Sequence, residues 1–460
     1  MNALVAEPSL APPTRELDRL AGVAEETIRQ CRTRGADAVE VHLSVEQGLA
    51  VNVRLGDVET LEHTKDRGLS LTVYVGGRKG SASTADLKPE SLKITIEQAI
   101  AIARHTEVDS AAGLAAAEDM AKTFPDLDLW HPSAVSADDA IELALRCEAA
   151  ALDDKRIRNS EGAGVSISRG FGIYANSHGF IGREMGTRHS LQCSVLAGPD
   201  EAMQRDYHYS LGRGFDELMD AAELGRETAR RTIARIGART LASQKTPAIL
   251  SAEVARSFFG HLVSAVSGGA LYRKASFLLD AVGQQVFPSW MQIAEAPHLL
   301  RGLGSAAFDD DGLATRAQDL IRDGMLTRYV LSTYSARKLG LASTANAGGV
   351  HNLIVTPNAG ALDELFRAMG RGLYVTELLG QGVSLITGDY SRGAAGYWIE
   401  NGEIAYPVHE ITIAGNLRSM FADLIAVGSD IDLRGNVRTG PVWLAEMSIA
   451  GEGAAEQDDE

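Results

Sequence analysis

Residues 38–77, AVEVHLSVEQGLAVNVRLGDVETLEHTKDRGLSLTVYVGG, decide the fold class. Val39, Val41, Leu43 and Val45 alternate with Glu40, His42, Ser44 and Glu46. Val51, Val53 and Leu55 alternate with Asn52 and Arg54, and Leu69, Leu71, Val73 and Val75 repeat the pattern. A period of two puts one set of side chains on a core and the other in water, as in strands of an antiparallel meander. Gly76-Gly77 marks a turn. Before this block, Leu17, Leu20, Ala24, Ile28 and Cys31 fall at helical spacing from about Thr14 to Arg34, and Gly35 is a stop signal. After it, residues 90–105 predict a second helix. Together these describe an α+β domain over residues 14–106, with helices covering one sheet face.

Further along, residues 107–133 are a connector containing Pro125 and Pro132. A helix starts near Ser136, where Asp138 and Asp139 suit the positive end of its dipole. Strands are expected near 164–174, 179–184, 189–197 and 203–212, with a turn at Asn176-Ser177-His178-Gly179, and a long helix from Asp216 to about Ile236. These elements form a middle α+β region, 107–240. A β-rich C-terminal domain, 245–452, carries a helix over 252–266 and another over 361–370, where Leu362, Leu365, Phe366 and Met369 form one apolar stripe. Asn401-Gly402 between Tyr397-Trp398-Ile399 and Ile404-Ala405-Tyr406 is a hairpin signal, and a last helix begins at Asn416. Residues 1–12 and 453–460 read as tails. The fold class is therefore α+β: an N-terminal antiparallel sheet with helices, then a β-rich C-terminal domain.

Composition narrows the function. Among 460 residues, 44 Lys and Arg face 61 Asp and Glu, a net charge of −17, which repels nucleic acid at long range. No apolar run approaches the roughly 20 residues of a membrane helix, and the N-terminus lacks the basic and apolar regions of a signal peptide. The three cysteines, Cys31, Cys147 and Cys193, are odd in number and far apart. They suit neither a disulfide framework nor a Cys-x-x-Cys metal site, which points to the reducing cytosol.

Phosphate-loop and nucleophile-elbow spacings are absent. Gly302-Leu303-Gly304 lacks the rest of a dinucleotide fingerprint. Phe308-Asp309-Asp310-Asp311-Gly312 lacks the alternation of a calcium loop and is expected to be a solvated turn. Arg226, Arg230, Arg231, Arg235 and Arg239 line one helix. With Glu223 and Glu227 interleaved, a salt-bridged surface, including an i,i+4 pair Glu227–Arg231, is expected rather than a phosphate stripe. His261 shares a helical face with Val254, Phe258 and Leu262 and is expected to be a core-edge histidine bonded to backbone. A zinc site needs three protein ligands, and only one imidazole is local.

Longer motifs in the third region carry a resemblance. HLVSAVSGGALYRKASFL (261–278), RGLGSAAFDDDGLATRAQDLIRDGML (301–326), STYSARKLGLASTANAGG (332–349), VTELLGQGV (375–383), TGDYSRGAAGYWIENGEIAYPVHEITIAGNL (387–417) and RTGPVWLAEMSIAGEG (438–453) are similar to the PmbA/TldE family. The likeness extends upstream through GRETARRTIARIGAR (225–239) and, more weakly, through the N-terminal strands. The resemblance implies a two-component metalloprotease. In it, a PmbA/TldE-type chain pairs with a homologous TldD-type subunit bearing a zinc motif H-E-x-x-x-H and a distal cysteine. The pair processes peptides and unfolded polypeptides, including antibiotic-peptide maturation and antitoxin turnover. An older description of the family is modulator of DNA gyrase.

Set against that motif, Gly260 or His261 falls at the first histidine, His261 or Leu262 at the glutamate, and Ala265 or Val266 at the second histidine. No cysteine follows Cys193. This chain is therefore expected to hold no catalytic residue set and no metal, with zinc in the TldD-type partner. Its expected ligand is a peptide or unfolded polypeptide, and an isolated chain can pair with itself. An independent hydrolase using His261 with Ser264 or Asp389 with Ser391, and a non-enzymatic gyrase-type regulator, are the alternatives. The segment Thr387–Gly396 is expected to face a chamber shared between subunits, with Asp389, Tyr390, Ser391 and Arg392 as substrate-binding residues. The opposing reading is that Asp389 and Arg392 pair and brace the turn.

Overall fold

The computed structural model describes residues 10–451. The expected tails over residues 1–9 and 453–460 lie outside them. Helix α1 (Thr14–Thr33) leads into β1 (Ala38–Arg54), β2 (Asp57–Val75) and β3 (Arg78–Thr84), followed by α2 (Pro89–His105). After an irregular connector come α3 (Ala137–Leu152), β4 (Ile157–Asn176), β5 (Ile181–Ala197), β6 (Gln204–Gly212) and α4 (Ala221–Ile233). The six strands form one antiparallel sheet in the order β3-β2-β1-β4-β5-β6.

The alternation works as expected. Val39, Val41, Leu43 and Val45 are buried under α1 and α2, while Leu49, Val51 and Val53, farther along the same strand, are buried under α3 and α4. One strand thus holds two cores on one face. Residues of opposite parity, His42, Ser44 and Glu46, line a cleft of about 810 Å³ on the other face, closed by the connector and residues 305–308.

Several expectations are corrected. β2 begins at Asp57, twelve residues before the alternation at Leu69, and Asp57–Arg67 is exposed on both faces. The turn between β1 and β2 is Leu55-Gly56, both at positive φ (52° and 86°), which matches strand twist in a two-residue loop. The two strands expected at 179–184 and 189–197 are one, β5. The long helix from Asp216 shortens to α4, because the Asp220 carboxylate caps it at the N–H groups of Ala222 and Glu223. Asp309 is buried, its carboxylate accepting the N–H groups of Asp311, Leu313 and Ala347.

The C-terminal region begins with β7 (Gln244–Leu250), α5 (Ala252–Ala265) and α6 (Gly268–Tyr272). A small sheet follows: β8 (Ile293–Glu295), β9 (Gln318–Arg322), β10 (Met325–Leu326), then α7 (Thr333–Leu339) and β11 (Leu353–Val355). Next come α8 (Leu362–Met369), β12 (Gly372–Leu379), β13 (Asp389–Glu400), β14 (Glu403–Asn416), α9 (Leu417–Ala422), β15 (Leu424–Val427), β16 (Val437–Arg438) and β17 (Val442–Ala450). β16 completes the small sheet beside β11. The other strands run β14-β13-β12-β7-β17, and β14 also pairs with β17, so this sheet closes into a small barrel with β15 outside it. The Asn401-Gly402 hairpin joins β13 to β14, with both residues at positive φ.

The arginine surface of α4 is salt-bridged, though not as the spacing suggests. Glu227 pairs with Arg230 at 2.6 Å, one turn position short of Arg231. Arg231 lies 3.6 Å from Glu253, and Arg235 bonds Glu377 at 2.6 Å. These arginines therefore tie the N-terminal sheet to the barrel.

Candidate functional site

Helix α5 and strand β13 carry the residues of interest. Ser251 caps α5 by accepting the N–H of Val254. The helix turns Val254, Phe258, Phe259, Leu262 and Ala265 into the core, where the Phe258 ring meets Phe421 at 4.9 Å. His261 lies at the border of that face, half-buried. Its ring stands edge-on to Tyr390, with centroids 5.9 Å apart.

Residues 389–392 belong to β13 rather than to a loop, so alternation divides them. Tyr390 is 2% exposed and faces inward, and Arg392, at the same parity, is half-buried. Asp389 and Ser391 are exposed on the other side. Asp389 accepts from Thr387 Oγ1 at 2.6 Å and from Asn416 Nδ2 at 3.1 Å, and these bonds hold its carboxyl below the usual range. It braces the 387–389 turn with those two residues and makes no bond to Arg392. The N–H of Ser391 donates to the Gly382 carbonyl at 2.7 Å.

His261, Tyr390 and Arg392 share an environment that sequence spacing does not reveal. His261 Nε2, the Tyr390 hydroxyl and Arg392 Nε are each out of solvent, and none has a hydrogen-bond partner among the described residues. The backbone bond expected for His261 is therefore not made. Burial, helped by the nearby Arg392 charge, pushes the His261 pKa down. Burial raises Tyr390 to about 12 against the opposing pull of Arg392. The trio is thus one guanidinium charge resting against two neutral rings. The common parity of Tyr390 and Arg392 was the only sequence signal for it, and no spacing links either to His261.

The same geometry tests whether zinc fits. Counting the motif from His261 puts Leu262 at the glutamate and Val266 at the second histidine, and both are fully buried in the apolar core. Counting from Gly260 puts fully buried Ala265 there. Cys31, Cys147 and Cys193 are buried in the N-terminal region. Among the described residues no group of three His, Cys, Asp or Glu is placed to hold an ion. Arg392 adds a fixed positive charge beside the single imidazole. These residues do not fit zinc.

Neither proposed nucleophile pair forms. Ser264 Oγ donates back to the Gly260 carbonyl at 2.9 Å, and the Asp389 carboxylate accepts from Thr387 and Asn416 rather than from Ser391. The cleft on the open sheet face carries charges of both signs, Glu46 and Glu184 with Arg183 and Arg188.

This chain, a closed barrel joined to a helix-backed antiparallel sheet, belongs to the PmbA/TldD metallopeptidase family. Residues 39–103, 130–236 and 243–451 match the first, central and C-terminal domain models of the PmbA/TldA metallopeptidases. The metalloprotease PmbA of Escherichia coli O157:H7 is 50% identical over 91% of this chain and 93% of its own. The PmbA homologue of Haemophilus influenzae is 43% identical over 95% and 99%. A Bacteroides thetaiotaomicron crystal structure, described as a modulator of DNA gyrase, superposes with a TM-score of 0.90 at 28% identity, covering 95% of this chain and 99% of that one. TldE from Thermococcus kodakarensis shares the fold, with a TM-score of 0.81 at 20% identity over 93% of this chain and all of that one. No helix among the described residues is long and apolar enough to cross a membrane.

Proposed function

We propose that this chain is the TldE-type subunit of a two-component metalloprotease. It pairs in the cytosol with a homologous TldD-type subunit that holds zinc, and together they process peptides or unfolded polypeptides. One observation carries this reading: in a chain half identical to a metalloprotease over nearly its whole length, Leu262 and Val266 fill metal-motif positions as core residues. A fold kept whole with its own metal positions turned apolar suits a subunit that supplies walls and contacts rather than the reacting centre.

In this reading the first residues of β13 contribute to substrate binding. Asp389 and Ser391 present polar groups on its outer side, and Tyr390 and Arg392 lie on its inner side. The decisive experiment measures bound zinc and cleavage of an unfolded peptide for this chain alone, for a TldD-type subunit alone and for their mixture. Cleavage that requires the mixture, with zinc copurifying with the partner, is the expected result. Cleavage by this chain alone overturns the reading, and so does a mixture no more active than the partner alone.

A further inference from the structure

We infer that Arg392, backed by Tyr390 and His261, forms a carboxylate-capturing site for a peptide ligand. This rests on the peptide-handling reading above and adds a chemical preference to it.

Arg392 has no ion pair among the described residues and its Nε has no hydrogen-bond partner, in a chain whose net charge is −17. The one carboxylate close by in sequence, Asp389, is turned to the other side of β13 and occupied by Thr387 and Asn416. Behind the guanidinium stand two more groups without partners, the Tyr390 hydroxyl and His261 Nε2. A buried polar group left unbonded is costly, so a ligand that bonds this set has a free-energy advantage.

The chemistry of that ligand follows from the donors. Arg392 offers a planar fork of N–H groups, the Tyr390 O–H can donate, and a neutral His261 can donate from Nε2 in one tautomer. A cation is repelled by Arg392, and a neutral carbonyl leaves the charge uncompensated. A carboxylate matches both the fork and the charge. Burial disfavours the charged form of His261, so the fixed positive charge of the site is that of Arg392.

Arg392 is only half-buried, and exposed Ser391 and Gly382 lie beside it. Leu379, 53% exposed, pairs in register with Gly393 next to Arg392 and offers an apolar contact to the adjoining ligand residue. Capture begins at the exposed side of Arg392, and a shift of its side chain brings the carboxylate onto Tyr390 and His261 beneath. Arg392 is thus the binding residue, and Tyr390 and His261 are positioning residues.

The test uses the purified full chain and three unlabelled, N-acetylated hexapeptides of one parent sequence, read by isothermal titration calorimetry. The first has a free C-terminal carboxylate and no acidic side chain, the second a C-terminal amide and no acidic side chain, and the third an amide with one internal Glu. At least one carboxylate-bearing peptide is expected to bind about tenfold or more tightly than the neutral one, and which one identifies the source. Arg392→Gln should erase that preference, and Tyr390→Phe should reduce it severalfold with the melting temperature retained. Equal affinity for all three peptides, no binding of any, or a preference that survives Arg392→Gln overturns the inference. If Arg392→Gln does not fold, Arg392→Lys replaces it: a preference cut severalfold supports the fork, and an unchanged one overturns it. No partner or cleavage enters the measurement. A mixture that fails to cleave therefore counts against the two-subunit reading alone, and equal affinities count against this site alone.

Discussion

The N-terminal sheet and the C-terminal barrel are both β-structures backed by helices, but they are assembled differently. In the sheet, β1 pairs with β2 across a two-residue turn, and β4 pairs with β5 across a short one. Apart from β1 with β4, neighbours in the sheet are neighbours in sequence. In the barrel, β7 lies between β12 and β17, strands that begin more than a hundred residues later. The sheet is held by local alternation under amphipathic helices. The barrel is held by long-range closure, and the unpaired polar trio lies in this second region, at the junction of α5 and β13. Local pairing leaves strand faces readable. Closure brings remote residues together and sets which of their atoms remain unbonded.

The largest expected effect probes the barrel core. Writing the metal motif back as Leu262→Glu with Val266→His places a carboxylate and an imidazole where both native side chains are fully buried. We expect a loss of at least about 4 kcal/mol, or failure to fold, rather than zinc binding. Denaturant unfolding together with elemental analysis checks it, and a stable variant with one zinc per chain would show that the barrel accommodates the motif.

A smaller effect tests the sheet. Glu148 on α3 is 1% exposed and receives the N–H groups of Leu55 and Gly56 at 2.8 and 2.9 Å and Ser160 Oγ at 2.5 Å. It fastens the far turn of the β1–β2 hairpin to the helix layer. Glu148→Ala should cost about 2–3 kcal/mol and speed hydrogen exchange at residues 53–60 more than anywhere in the barrel. Uniform acceleration across both regions would erase the contrast drawn here.

Asp309 lies in the C-terminal region, next in sequence to the residues 305–308 that close the sheet's cleft. Burial, with the Asp311 charge adding to it, pushes its carboxyl up to about 6 from 3.8. The folded chain then keeps a proton that the unfolded chain has released. Its contribution to stability is fully present below about pH 4 and falls as pH rises to 6, by an amount on the order of 2–3 kcal/mol. Asp309→Asn should lack that downward slope, so that the stability difference between wild type and variant falls as pH rises from about 4 to 6. Parallel pH profiles for wild type and variant would refute the shift.

The smallest expected effect lies within the sheet's helix layer. Arg146 of α3 meets Asp220 at the cap of α4 at 3.0 Å, with both side chains about half exposed (51% and 53%). Solvent screening leaves such a pair little net worth, so Arg146→Ala should leave the melting temperature unchanged within error. A clear drop would mean that the surface between α3 and α4 holds the sheet together more than its buried alanines do.

Legibility in the sequence followed the same division. The alternations at 39–45 and 69–75, the helices α1, α2, α3 and α5 and the Asn401-Gly402 hairpin all announced themselves through burial on one side. Asp57–Arg67 did not, because a strand wet on both faces has no apolar period to display. The strands of the small sheet, two to five residues long, are too short for a period to register. Asp309 looked like a solvated turn because an acidic run does not show which of its carboxylates meets three backbone N–H groups. In the same way, Asp389 to Arg392 appeared as one polar loop between glycines, and the strand that formed there sent alternate residues to opposite sides.

By itself, the sequence determined that this chain is α+β, that its first sheet carries helices on one face, and that no H-E-x-x-x-H motif occurs among its residues. These properties depend on local period, turn chemistry and residue identity, all of which are present along the chain. Only the tertiary structure decided that β14 meets β17 to close a barrel, that Arg231 of α4 and Arg235 just after it reach across to Glu253 and Glu377, and that His261 comes to rest against Tyr390 and Arg392. Those outcomes depend on pairings between segments distant in sequence, where packing of the whole core selects the partner and no local pattern records the choice.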